Sequence, residues 1–203
     1  MGSIPTGYLV ARARGIDIRS VGSGNIGATN VFRILGKPAG ITVLLVDAVK
    51  GYAGCAFVPG LVSQFFGMFP PPRSSMEEYA QIVGGFGAIL GHNYTVWLKF
   101  KGGKGVATSA GVLAALLPLT CLTAVSVWIV LVAATRYVSI GSIVAAASLP
   151  LAAWLYNQSH RMIAVAAVMG VLAIYKHKTN IRRLLHGTEN RIGAKKSQTG
   201  DAG

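Results

Sequence analysis

An all-α fold is predicted: a polytopic bundle of transmembrane helices with about seven spans, the first truncated, joined by short loops on the cytoplasmic side. Three observations lead there. Hydrophobic residues make up 52% of the 203 residues and charged ones only 12%, about half the roughly 25% of a soluble domain. Of the 19 lysines and arginines, 15 lie in the stretches 12–38, 99–104 and 176–196, and long apolar runs separate those stretches. Only six acids balance them, Asp17, Asp47, Glu77, Glu78, Glu189 and Asp201, so the formal charge is +13. Such a charge can signal nucleic-acid binding, but a solvated nucleic-acid domain does not need these apolar runs. No nucleic-acid partner is expected. So few carboxylates also argue against a carboxylate-built two-metal site, and neither metal nor cofactor is expected.

The elements follow in order. The apolar stretch 2–11 is too short for a span, which takes about 20 helical residues. It lacks the basic n-region of a secretory signal and reads as the second half of a membrane helix. The run 39–66 is apolar apart from Asp47 and Lys50. The prolines of "GMFPPPRSSMEE" (67–78) mark a loop, and the run 79–98 leads back. The segment 106–175 is apolar almost throughout, broken by Pro118, Arg136 and "NQSHR" (157–161). Lys and Arg accumulate on the cytoplasmic side, so all three basic stretches belong there, and 106–175 must cross an even number of times. Two crossings would bury Arg136 and His160 in unusually long helices. Four fit better, near 105–118, 120–134, 138–156 and 161–175, each short or tilted. Asp47 and Lys50 are three apart and can pair on one helix face. A charge at membrane depth marks either a functional site or a structural pair, and the sequence leaves both open. Cys55 and Cys121, outside any CxxC pair, read as small buried hydrophobes.

The basic loops carry the chemistry. "VGSGNIGATN" (21–30) contains Gly22, Gly24 and Gly27 in the dinucleotide spacing G-x-G-x-x-G. That motif needs a βαβ unit, and a loop between two spans provides none. An anion cradle remains, with a plain turn as the alternative. Gly24 and Gly27 let backbone N–H groups approach an anion, while Ser23, Asn25, Thr29 and Asn30 add donors. Arg33 supplies a guanidinium fork. In "KFKGGKGVATS" (99–109), Gly105 follows Lys104 where a Walker A motif has Ser or Thr. Gly102, Gly103 and Gly105 around a lysine at a helix start still offer N–H groups, a dipole end and an ammonium. A membrane anchor would explain the lysines but not those glycines. In "HKTNIRRLLHGTENRIG" (177–193), His177, Asn180, Ile181 and Leu184 fall at helical spacing, and Leu184 and Leu185 suit a membrane surface. His177 and Asn180 share a face. Gly187 ends the helix, and Glu189 reads as a partner that fixes the loop to an arginine. Three such loops on one face predict one site for a phosphorylated, soluble substrate beside an apolar one from the bilayer.

These segments, with "GSIPTGYL" and "GHNYTVWL", closely resemble the bacterial acyl-phosphate-dependent glycerol-3-phosphate acyltransferases, integral inner-membrane enzymes with three cytoplasmic-side motifs. The likeness covers residues 2 to about 193. It implies acyl transfer from acyl phosphate to the 1-hydroxyl of sn-glycerol 3-phosphate, giving lysophosphatidic acid and phosphate, the first acylation of bacterial phospholipid synthesis. It also implies a multi-pass inner-membrane protein with one domain (1–196), a disordered polar tail (197–203), and a functional link to the enzyme that forms acyl phosphate. Ser23, Asn25 and Arg33 match the first motif, and Lys104 sits in the second, the phosphate-binding loop. His177 and Asn180 match the third; these six form the expected catalytic set. Gly24, Gly27, Thr29, Asn30, His92, Gly102, Gly103, Gly105 and Arg183 are the expected substrate-binding residues, and Glu189 the acid that holds the third region together. Thr95 stands where the family commonly has proline, Arg191 where it has lysine, and the outer loop at 69–78 is longer.

No histidine here has an Asp five positions on, the H-x-x-x-x-D base of soluble relatives. Direct attack by the hydroxyl is therefore expected, with the leaving phosphate accepting its proton and no acyl-enzyme. Arg33 and Lys104 would hold the phosphates, and Ser23, Asn25 and loop N–H groups the developing oxyanion. His177 would orient the hydroxyl or serve as a base. The alternatives are an organic-phosphate transporter and a metal-dependent lipid phosphotransferase. The first usually shows repeated halves with polar residues at the midplane. The second needs clustered aspartates, and Asp17 and Asp47 are isolated.

Overall fold

The computed structural model describes residues 1–66 and 75–193. The greater part of the outer loop and the expected tail at 197–203 lie outside the described residues. Every element among the described residues is helical: α1 (Thr6–Arg12), α2 (Ala28–Leu35), α3 (Lys37–Ala56), α4 (Val58–Phe66), α5 (Ser75–Asn93), a 3-10 turn (Val96–Leu98), α6 (Val106–Leu116), α7 (Pro118–Thr135), α8 (Val138–Leu155), α9 (His160–Lys176) and α10 (Lys178–Leu185). Local chemistry sets the boundaries. α3 starts after Gly36, at φ 85, with Pro38 in its first turn, where a proline loses no intrahelical bond. Pro118 opens α7 in the same way, and Arg136 closes it in the left-handed region. The Ser159 hydroxyl caps α9 by accepting the Met162 N–H.

α3, α7 and α8 are each long and apolar enough to cross a membrane, and α9 with α10 would make a fourth as a pair bent by 56°. With 11 residues, α6 extends only about 16 Å, roughly half of a 30 Å hydrocarbon core. Two expected runs divide. The run 39–66 breaks at Phe57 into α3 and α4, because 20 helical residues already span the core. The run 79–98 is helical only to Asn93; beyond it the chain turns, with Lys99 and Phe100 at positive φ. Trp97 and Phe100 stay largely exposed, as aromatic residues do at a membrane interface.

One apolar core includes Ile89, Val112, Leu117, Leu149 and Met169. A second, around Ile18, Ile26, Val31, Val43 and Leu98, packs the first basic loop as a cap against α3. Tertiary contacts sort the helix ends. The Ile192 N–H donates to the Arg136 carbonyl at 2.9 Å, so the α7–α8 turn lies on the side of the C-terminal basic segment. At the other ends, the Thr123 and Tyr156 hydroxyls meet at 2.8 Å, and Arg161 pairs with Glu78 at 2.8 Å.

Candidate active site

The first basic loop folds around Asn30, which is 2% exposed. Its amide donates to the carbonyls of Ile18, Val21 and Asn25 at 3.2, 3.1 and 3.0 Å, and its Oδ1 accepts the Ser23 N–H at 2.9 Å. Gly22 sits at φ +63, and a Cβ there would come within 2.3 Å of that same Oδ1. Asn25 Oδ1 accepts the Gly27 N–H at 2.8 Å, and Gly27 precedes α2. This turn brings Ser23, Asn25 and Thr29 to the wall of one cavity, together with the first-turn N–H groups of α2. Asn30 also lines it, but its hydrogen bonds are committed to shaping the loop.

In the second loop, the Gly103 N–H donates to the His92 carbonyl at 3.1 Å. A Cβ on Gly102 would lie 2.0 Å from that carbonyl oxygen, and one on Gly105 2.7 Å from Asn93 Oδ1. The loop thus rests on the end of α5 and leaves Lys104 as the side chain that reaches into the cavity. Its Nζ donates to Asn180 Oδ1. Asn180 Nδ2 donates to Glu189 Oε1 at 2.6 Å, and Glu189 Oε2 accepts from Arg183 Nε at 2.9 Å. Both Glu189 oxygens therefore tie α10 to the segment that follows it. Thr95 has φ −59, an angle proline also adopts, and its hydroxyl donates to the Ser3 carbonyl. A proline would fit that angle, and the threonine adds a tie to the N-terminal segment.

The cavity holds about 130 Å³, many times the 10–15 Å³ that admits one water. Of the residues expected from sequence, Ser23, Asn25, Gly27, Thr29, Asn30 and Arg33 line it from the first loop and α2. His92, Lys104 and Gly105 line it from the second loop, and His177, Asn180 and Glu189 from the third. Gly24, Gly102, Gly103 and Arg183 are not among the residues that form that wall. Gly24 serves a turn at φ +70, and Arg183 pairs with Glu189. Sequence reasoning missed Ser139, Ser142, Trp128 and Asn190, which also line the cavity. Trp128 Nε1 donates to Ser142 Oγ at 3.2 Å. The signal was two serines three apart in "VSIGS", one helix face inside an otherwise apolar span. Among the described residues no group of three or more His, Cys, Asp or Glu could hold a metal ion.

Positive charge dominates the site: Arg33, Lys104 and Arg183 surround one carboxylate, Glu189. Burial lowers Lys104 to about 8; Glu189 opposes this, and Arg183 and Arg33 add to it. Burial likewise lowers Arg33. His177 Nδ1 lies 2.8 Å from the Ala173 carbonyl. A carbonyl only accepts, so Nδ1 carries the proton and Nε2 is a bare acceptor. Burial pushes His177 down to about 4, so the ring is neutral at pH 7. The sign for Lys104 follows from its lowered value: the ammonium persists below about pH 8 and is lost above it. The catalytic rate constant kcat/KM should therefore fall as pH rises through about 8, and Lys104→Arg, charged throughout, should abolish that limb. A limb unchanged in Lys104→Arg would assign it to another group.

Comparison with known proteins adds to the geometry. A family model described as glycerol-3-phosphate acyltransferase matches residues 1–187. A glycerol-3-phosphate acyltransferase of Geobacter sulfurreducens is 48% identical over 194 residues, 96% of this chain and 93% of the relative. One from Thermosynechococcus vestitus is 43% identical over 195 residues, 96% and 91% of the two chains. The crystal structure of PlsY (YgiH), an integral membrane glycerol 3-phosphate acyltransferase in its glycerol 3-phosphate form, is similar with a TM-score of 0.80. It is 40% identical and covers 95% of this chain and 90% of that one. The lysophosphatidic acid form of PlsY gives a TM-score of 0.78 at 38% identity, with the same coverage.

Proposed function

The chain belongs to the glycerol-3-phosphate acyltransferase family of integral membrane enzymes, and from that premise we propose that its acyl donor is acyl phosphate. The acceptor is the 1-hydroxyl of sn-glycerol 3-phosphate; the products are lysophosphatidic acid and phosphate. The hydroxyl oxygen attacks the acyl carbonyl, a new C–O bond forms, and the C–O bond to phosphate breaks. The hydroxyl proton leaves with the phosphate. The observation that carries this reading is the convergence of Arg33, Lys104 and the α2 N-terminus on one cavity, with Asn180 and Glu189 holding the lysine. Such an array favours two phosphate-bearing ligands. A neutral His177 with a bare Nε2 is suited to accept the substrate hydroxyl's hydrogen bond and orient it. Its value of about 4 makes it a poor base at neutral pH, which supports proton transfer to the leaving phosphate.

The acyl chain would lie against α3 and α6. The cavity wall at Leu44 and Ala107 continues one turn on into an apolar groove at Ala48, Tyr52 and Gly111. Residues 1–196 act as one domain in this proposal. Its seven crossings put the three basic loops at the cytoplasmic face of a bacterial inner membrane, where the enzyme forming acyl phosphate supplies the donor. Both the Arg136–Ile192 contact and the opposite contacts Thr123–Tyr156 and Arg161–Glu78 support that parity.

The test is lysophosphatidic acid formation by the purified protein given glycerol 3-phosphate with palmitoyl phosphate, which releases phosphate, or with palmitoyl-CoA, which releases CoA. Formation requiring both glycerol 3-phosphate and palmitoyl phosphate is expected, with no acyl-protein trapped at Ser23. Equal turnover with palmitoyl-CoA would reject the donor assignment, and an acyl-serine at Ser23 the direct attack.

A further inference from the structure

The most buried charges among the described residues lie beside the active-site loop, Asp47 at the cavity wall and Lys50 next to it. Asp47 is 1% exposed and Lys50 6%. The Lys50 ammonium has three N–H groups and three acceptors: Asp47 Oδ1 at 2.7 Å, His92 Nδ1 at 2.9 Å and the Ile4 carbonyl at 2.9 Å. Asp47 Oδ1 also accepts the Thr6 hydroxyl at 3.0 Å. Because an ammonium only donates, His92 Nδ1 must be the acceptor, and the ring proton sits on Nε2. That edge of the ring faces the second loop: a Cβ on Gly103 would lie 2.1 Å from Nε2 and 3.0 Å from each ring carbon beside it. The backbone of His92 holds the same glycine, through its carbonyl at 3.1 Å from the Gly103 nitrogen. His92 is therefore the seat on which the residues before Lys104 rest, and its ring cannot turn without breaking the contact with Lys50.

We propose that Asp47 and Lys50 are positioning residues, which act through His92 to fix the 102–104 loop so that Lys104 meets the substrate's phosphate. The identity of that phosphate rests on the acyltransferase reading. A charge buried at membrane depth is costly to keep, and it costs more than an apolar packing of similar volume. The cluster joins four pieces of chain that are distant in sequence: the N-terminal segment at Ile4 and Thr6, α3, the end of α5 and the glycine loop. It thus transmits the position of α3 to the loop that carries the ammonium.

Two variants and two readouts test this. In Asp47→Asn/Lys50→Met both charges go together, so no ion is left buried alone. In His92→Asn an acceptor remains for Lys50, but the ring edge under Gly103 is gone. Each is purified, its folded fraction measured, and kcat and KM determined per folded molecule. Both should lose at least about tenfold in kcat, the scale of one misplaced charged hydrogen bond, with a smaller change in KM for glycerol 3-phosphate. Histidine-selective ¹⁵N NMR of the wild type, simple because the chain has four histidines, reads the tautomer independently of any reaction. His92 should show an unprotonated Nδ1 and a protonated Nε2, and the double variant should lose that preference. A wild-type His92 protonated on Nδ1, or variants that lose thermal stability but keep kcat per folded molecule, would overturn the proposal. Failure of the acyltransferase reading would instead show as absent turnover in the wild type, with the tautomer unchanged.

Discussion

Replacing Lys104 with alanine should lower kcat/KM by about 10²–10³-fold while the protein remains folded. The size follows from the loss of one preorganised donor to developing charge, worth about that factor in other active sites. Lys104 lines the cavity with Arg33, while Arg183 is paired with Glu189. Its removal should spare the fold because the Asn180–Glu189–Arg183 chain is complete without it, and because it lies in a loop outside both apolar cores. The measurement is steady-state phosphate release with glycerol 3-phosphate and palmitoyl phosphate, beside a thermal melt in the same detergent. Full turnover in Lys104→Ala would remove the second loop from the chemistry. A melt lowered as much as the activity would make the lysine structural instead.

The largest loss of stability is expected from Gly111→Leu. α3 and α6 cross backbone to backbone: a Cβ on Gly111 would lie 1.9 Å from the Ala48 carbonyl oxygen, and one on Gly51 2.1 Å from that of Thr108. Small residues allow such approach in membranes, where close packing replaces the missing hydrophobic drive. A leucine must push the helices apart, and both partners are main chain, which cannot rotate out of the way. Overpacking of a core costs about 1–3 kcal/mol, about 2–4 °C per kcal/mol for a chain of this size. A fall of about 2–12 °C, or failure to accumulate folded protein, is expected. Gly87→Leu is the control, since a Cβ there meets nothing within 4 Å; it should shift the melt by less than about 2 °C. Equal shifts in the two variants would show that the crossing is not the tight point. Turnover should fall with Gly111→Leu too, because Leu44 and Asp47 on α3 and Val106 and Ala107 on α6 all line the cavity.

Much of this was legible in the chain. Hydrophobic runs broken by Pro118 and Arg136 foretold α6, α7 and α8 to within one to two residues at each end, because a helix in lipid must satisfy its own backbone bonds and stops where a proline or a charge stops it. The run to residue 98 misled, since Val96 and Trp97 are exposed apolar residues of a 3-10 turn and Leu98 fills the second core, none of them continuing α5. The family was legible in four segments because the spacing and order of their glycines and polar residues form a specific set. The roles within those segments were less so. Asn30 and Ser23 stand seven apart in one motif and look alike as donors, yet Asn30 is turned inward to hold the loop and Ser23 lines the cavity.

By itself, then, the sequence determined a helical membrane protein, the basic loops between its apolar runs, and the polar groups those loops carry. These follow from local composition and period, which each segment carries alone. The tertiary structure alone decided that Lys104 meets Asn180 across 76 positions, that Ser139 and Ser142 join the cavity, and that Asp47 and Lys50 reach His92. Such contacts arise where helices cross, and a crossing is set by the shapes of two faces at once: the bare glycines of α3 and α6 bring main chain to main chain, and everything mounted on those helices follows.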